Sequence, residues 1–216
     1  MQISSKLIGT AVRSGWKTFK ANALLLVATT IALLVFTFVV EQALDALLGK
    51  TGILSLLASM LLGAGLTLGY CSFYIDLLET GKPNIQALFN RLTPAKVLHM
   101  VAFSILYGLI VGLGFLFFVI PGVVFSTMFS QGPHLIVDRN LNCLQAMQES
   151  AKMTKGAKKD IFLFGWVAAG ITLLGLLAFG VGVLAAIAII GLAYAHIYRQ
   201  LLHKLDAPGQ AAIVSP

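Results

Sequence analysis

The residues best suited to chemistry share one apolar stretch, residues 123–137, and its exit. Ser126, Thr127, Ser130, Gln131, His134 and Asp138 fall within roughly 140° of one helical face at ~100° per residue. Phe125, Met128, Phe129, Leu135 and Ile136 take the opposite face. Such a polar face can do one of two things. It can pack against polar groups on other helices, or it can line a cavity for a polar solute or a lipid headgroup. Hydrocarbon satisfies neither Gln131 nor His134, so one of the two must hold. Pro133 frees a carbonyl about one turn earlier, near Phe129, which small polar neighbours or water must then satisfy.

Other ionisable candidates are few. Asp76, near the end of an apolar run, reads as an interfacial cap. His196, between Tyr194 and Tyr198, reads as a hydrogen-bonded packing histidine ahead of a proton relay or ligand. No His-x-x-x-His, Cys-x-x-Cys or paired-carboxylate spacing accompanies it, so no metal site and no cofactor is expected. No nucleophile–base set is present either, and the chain is read as a non-enzyme. Cys71 and Cys143 are too few for a disulfide framework and read as reduced, structural thiols.

These residues depend on elements that composition places in a bilayer. Hydrophobic residues make up 58% of the 216 and charged residues only 11%. A soluble domain carries about 25% charged residues, so this chain cannot build a water-exposed surface. The net charge of +7 would point to nucleic acid in a soluble protein, but its distribution points elsewhere. All but one of the 15 Lys and Arg fall in residues 6–20, 82–96, 139–159 and 199–204, with Lys50 alone outside. Long apolar runs separate these stretches, the pattern of cytoplasmic loops flanking membrane spans. No nucleic-acid partner is expected.

Six spans of about 20 residues follow, near residues 21–40, 53–77, 97–120, 123–137, 161–179 and 183–201. The fourth is short and could be re-entrant. Uncharged turns at Pro121-Gly122 and at Gly180-Val181-Gly182 join spans three to four and five to six. The three outer turns carry only Glu41, Asp45 and Lys50, which places both termini in the cytoplasm. The first apolar run is too long for a signal-peptide core and reads as a retained span. Gly65-x-x-x-Gly69 and Gly108-x-x-x-Gly112 would permit close helix contact.

An amphipathic segment precedes each hairpin. In the first, Ile3, Leu7, Ile8, Val12, Trp16 and Phe19 oppose Lys6, Arg13, Lys17 and Lys20. That helix should lie in the interface, its basic side toward anionic lipid headgroups of the inner leaflet. The second opens at Pro83-Asn84, carries Ile85, Leu88, Phe89 and Leu92, and ends at Thr93-Pro94. The third starts at Asn142, turns Leu144, Met147 and Ala151 inward, and stops at Gly156. Ile85-Gln86-Ala87 echoes Leu144-Gln145-Ala146, and Ala95-Lys96 echoes Ala157-Lys158. The expected fold is therefore all-α: a polytopic membrane protein with six transmembrane helices as three hairpins, each preceded by a cytoplasmic amphipathic interfacial helix. Residues 1–205 form one integral membrane domain of modules near 1–79, 80–140 and 141–205, and residues 206–216 a disordered tail.

The stretch from Phe118 to Lys159 carries a family pattern: Val-Ile-Pro121-Gly122, Gly132-Pro133, Val137-Asp138, Ala146-x-x-x-Ser150 and Thr154-Lys155-Gly156. It resembles the YciC-like family of bacterial inner-membrane proteins, and the membrane domain attached to some glycerophosphodiester phosphodiesterases. The resemblance implies a bacterial inner-membrane location and six spans. No phosphodiesterase catalytic domain accompanies it. Two functions stay open. One is a non-catalytic protein that organises lipid, a membrane partner or further copies of itself at the cytoplasmic leaflet. The other is a passive channel or transporter for a small polar solute, lined by the polar face of span four.

Overall fold

The structure, a computed structural model, describes residues 4–49, 52–177 and 181–213, with side chains described for 8–49, 52–177 and 182–206. Every regular element among them is a helix. In chain order these are α1 (Ser4–Ala21), α2 (Ala23–Leu48), α3 (Ile53–Thr80), α4 (Ala87–Asn90) and α5 (Pro94–Phe117). There follow α6 (Val119–Phe129), α7 (Gly132–Arg139), α8 (Cys143–Met153), α9 (Lys158–Leu177) and α10 (Val181–Ile213). Five of them, α2, α3, α5, α9 and the 182–206 part of α10, are long and apolar enough to cross a membrane. Their outward faces expose Leu34, Phe38, Leu56, Leu116 and Leu174, which water would not tolerate in such number and lipid does. The chain is an all-α, polytopic membrane protein.

The fourth expected span is not one helix. It is the pair α6 and α7, broken at Ser130 and Gln131. Pro133 therefore sits in the first turn of α7, where its missing N–H costs nothing, and not in mid-span. The turn from α5 into α6 also lies earlier than Pro121-Gly122. Phe118 alone takes an extended conformation, φ −159° and ψ 146°, and Pro121 falls within the first turn of α6. Gly122 serves close approach instead: a Cβ on Gly114 would lie 2.9 Å from the Gly122 backbone, so the two helices cross in contact. Gly108 and Gly112 meet nothing within 4 Å and mediate no such contact. The joint between α9 and α10 at 178–180 lies outside the described residues, as does Lys50.

Helix α10 is the spine, touching α1, α2, α3, α8 and α9. Gly191 admits the ring of Tyr74, whose atoms would lie 2.3 Å from a Cβ there. The N-terminal helix differs from the expectation of a helix floating in the interface. Ile8, Ala11 and Phe19 are buried in the bundle, because Gly15 lets α1 come against the α10 backbone at Ile189, 2.9 Å from where its Cβ would be. Arg13, Lys17 and Lys20 face outward as expected, but Trp16, expected on the apolar side, is 46% exposed and sits beside Lys20. Helix α10 runs to Ile213, and Asp206 is tied to Arg139 of α7 by an ion pair.

Helix α8 is turned from the expected face. Leu144 is 63% exposed, while Cys143, Ala146, Met147, Ser150 and Met153 are buried. Its start is as read: Asn142 and Gln145 form a capping box, and Gly156 closes the segment at φ +87°. Of the echoed residues, Ile85 and Leu144 are both exposed and Ala87 and Ala146 both buried, but Ala95 is exposed where Ala157 is buried. The three lead helices are otherwise unequal, α4 having 4 residues and α8 having 11.

The α5–α6 tip is wholly apolar, with Leu116, Phe117, Phe118, Val119 and Ile120 all exposed. The C-terminal part of α2, by contrast, carries Glu41 and Asp45. A tip without a polar group gains nothing by entering water. In intact membranes an I120C variant should thus resist a membrane-impermeant maleimide, and D45C should react, over a low background because Cys71 and Cys143 are buried. Equal labelling would show that the tip emerges.

Candidate functional site

The break between α6 and α7 is held by a hydroxyl clamp. Ser150, fully buried on α8, donates to the Met128 carbonyl at 2.8 Å and accepts from the Gln131 N–H at 3.3 Å. Thr154 Oγ1 lies 3.1 Å from the same carbonyl. A helix that stops inside apolar surroundings must find partners for its last carbonyls, and α8 supplies them. This is why α8 presents Ala146 and Ser150 inward: Ala146 allows approach and Ser150 fills the gap.

The structure distributes the six polar residues among three environments. Ser126, Thr127 and Ser130 line a cavity of about 440 Å³ between α6 and α9, shared with Tyr107, Trp166 and Tyr194. Their hydroxyls turn back to carbonyls three residues earlier, each at 2.9 Å, so they do not present free donors to the cavity. Gln131 and His134 are buried, and neither lines that cavity. Gln131 Nε2 reaches Ser130 Oγ at 3.4 Å, and the His134 ring stacks on Tyr198 with centroids 5.2 Å apart.

Asp138 occupies the third environment, an ionic hub at the end of the bundle where the basic residues collect. Its carboxylate accepts from Arg91 Nη1 at 3.0 Å and from the Tyr198 hydroxyl at 2.7 Å, with Arg199 Nη2 at 4.0 Å. Glu79 at the end of α3 joins the same network, 3.6 Å from Arg91 and paired with Arg199. Lys96 reaches the Val137 carbonyl at 3.2 Å. Three segments distant in sequence thus meet at one carboxylate, and α3 joins them through Glu79. Of these partners the sequence marks only Asp138; Glu79, Arg91 and Arg199 carry no local signal, since each reads as an ordinary flanking charge.

On α1, Arg13, Lys17 and Lys20 are exposed, and Lys20 Nζ lies 5.0 Å over the Trp16 ring. The side chain of Lys6 lies outside the described residues. His196 is hydrogen-bonded as expected, 2.8 Å from Gln200 Nε2. Asp76 is half-buried, with Oδ2 lacking a hydrogen-bond partner. Among the described residues no group of three or more His, Cys, Asp or Glu could hold a metal ion. The comparisons with known proteins add no relative: no family model, no curated protein and no solved structure matches this chain.

Proposed function

We propose that this chain is a non-catalytic protein of a bacterial inner membrane that engages anionic lipid through its basic end, with both termini in the cytoplasm. The observation that carries the reading is α1: its apolar side chains are fixed on α10, while Arg13, Lys17, Lys20 and Trp16 face outward together. A helix so anchored holds its charges in one plane, level with the ionic hub, without paying for order when lipid arrives. The basic stretches flanking the long helices support the orientation. The likeness of Phe118 to Lys159 to the YciC-like pattern supports the location, and further copies or a membrane partner could share this end.

Each basic residue near an anionic leaflet contributes about 1 kcal/mol. Changing Lys6, Arg13, Lys17 and Lys20 to Gln should therefore lower the phosphatidylglycerol that co-purifies with the protein by about tenfold or more. Phosphatidylcholine retention should not move. Unaltered phosphatidylglycerol retention would sink the proposal.

A second reading, a passive path for a small polar solute, is favoured by the cavity along Ser126, Thr127 and Ser130. The burial of Gln131 and His134 away from that cavity counts against a path continuing along the whole face.

A further inference from the structure

A second cavity, of about 580 Å³, opens at the basic end between α1, the end of α3 and α10. Lys17 and Thr18 line it from α1, Glu79 from α3, and His196, Arg199 and His203 from α10. Its size suits a small polar group, within the range of about 300–1,000 Å³ usual for ligand sites. Its charge is decided by the neighbouring hub. Arg91 and Arg199 are balanced there by Glu79 and Asp138, which they contact. Lys17 remains without an ion pair among the described residues, beside two imidazoles. The cavity is thus net positive.

Donors outnumber acceptors as well. Arg199 Nε is buried without a hydrogen-bond partner, although the same guanidinium pairs with Glu79. A buried donor in that condition is destabilising until an acceptor oxygen reaches it. Thr18 adds a hydroxyl and Lys17 an ammonium, both from the helix that carries the exposed Trp16 and Lys20. An aromatic ring and a lysine together mark the headgroup level of a bilayer.

From this arrangement we infer that the cavity binds a phosphate group, with an anionic phospholipid headgroup as its source. The phosphate oxygens would be taken by Lys17, His203 and the free Nε of Arg199. Glu79, held by the two arginines, is placed to accept from a hydroxyl or ammonium elsewhere on the headgroup. The inference deepens the lipid reading of the basic end and rests on it: α1 supplies a general attraction, and this cavity a defined seat.

The test uses the full chain in detergent, titrated with phosphatidylglycerol and followed by native mass spectrometry. K17Q/H203Q should lower affinity for the first bound lipid by about tenfold, the loss of charge-assisted hydrogen bonds. K6Q/R13Q/K20Q should reduce the number of further lipids and leave the first nearly unchanged. Neither set touches the Arg199 network, and unchanged thermal unfolding would show that both fold. If K17Q/H203Q binds like the parent while K6Q/R13Q/K20Q loses lipid, the seat is refuted and the general reading survives. If neither set changes lipid binding, both are refuted. Excess inorganic phosphate separates the sources. Displacement of the first lipid would assign the seat to soluble phosphoesters as well, and no displacement would assign it to the intact lipid; either result keeps a phosphate site that K17Q/H203Q must weaken.

Discussion

Replacing Asp138 with Ala should destabilise the protein by about 3 kcal/mol, the largest effect expected of a single polar substitution here. The carboxylate is only 14% exposed and is contacted by Arg91, Tyr198 and Arg199. Its loss leaves two guanidiniums near each other with only Glu79 to balance them, and a tyrosine hydroxyl without its acceptor. Removing one partner from a buried pair costs about 3–5 kcal/mol; the lower figure applies because both arginines keep 30% exposure. D138N should fall between, keeping an acceptor for Tyr198 and losing the charge. Thermal or denaturant unfolding in detergent measures this. A change under about 0.5 kcal/mol, typical of an unconstrained surface site, would show that the hub does not hold the bundle.

The double substitution S150A/T154V should destabilise by a similar amount through a different route. It preserves shape closely but removes both hydroxyls from the break between α6 and α7. The Met128 carbonyl and the Gln131 N–H would then lie buried with those partners gone. Each such group costs about 1–3 kcal/mol, so a total near ~3 kcal/mol is expected, with S150A alone giving roughly half or more. Hydrogen–deuterium exchange localises the effect: the Gln131 amide should exchange faster in the variant. Exchange at the parent rate would mean that water or another group already serves the break.

The long helices were legible because apolar length is a local property. Residues 53–77 predict α3 (Ile53–Thr80) and residues 97–120 predict α5 (Pro94–Phe117), each within a few residues. The break at Ser130–Gln131 was not legible, because what permits it is Ser150, about 20 residues on and on another helix. The same contact explains the turn of α8: periodicity favoured Leu144 inward, and the need to seat Ser150 against Met128 decided otherwise. For α1 the sequence carried the amphipathic division but not the partner, since Gly15 reveals close packing only once Ile189 is opposite it. Asp138 was legible as a polar exit; its hub required Arg91 and Arg199, 47 residues before and far along α10.

The polar residues of α6 and α7 therefore divide into a cavity rim, a buried break and an ionic hub, and the proposed lipid contacts lie on α1 and the neighbouring cavity. A side-chain-resolution density map of the full chain in phosphatidylglycerol nanodiscs tests this most directly. Headgroup phosphate density is expected within hydrogen-bond reach of Lys17, with further headgroups along Arg13 and Lys20 and packed side chains around Gln131. A basic end bare of ordered headgroups, with a water-filled path running from Ser126 past Gln131 to Asp138, would contradict it.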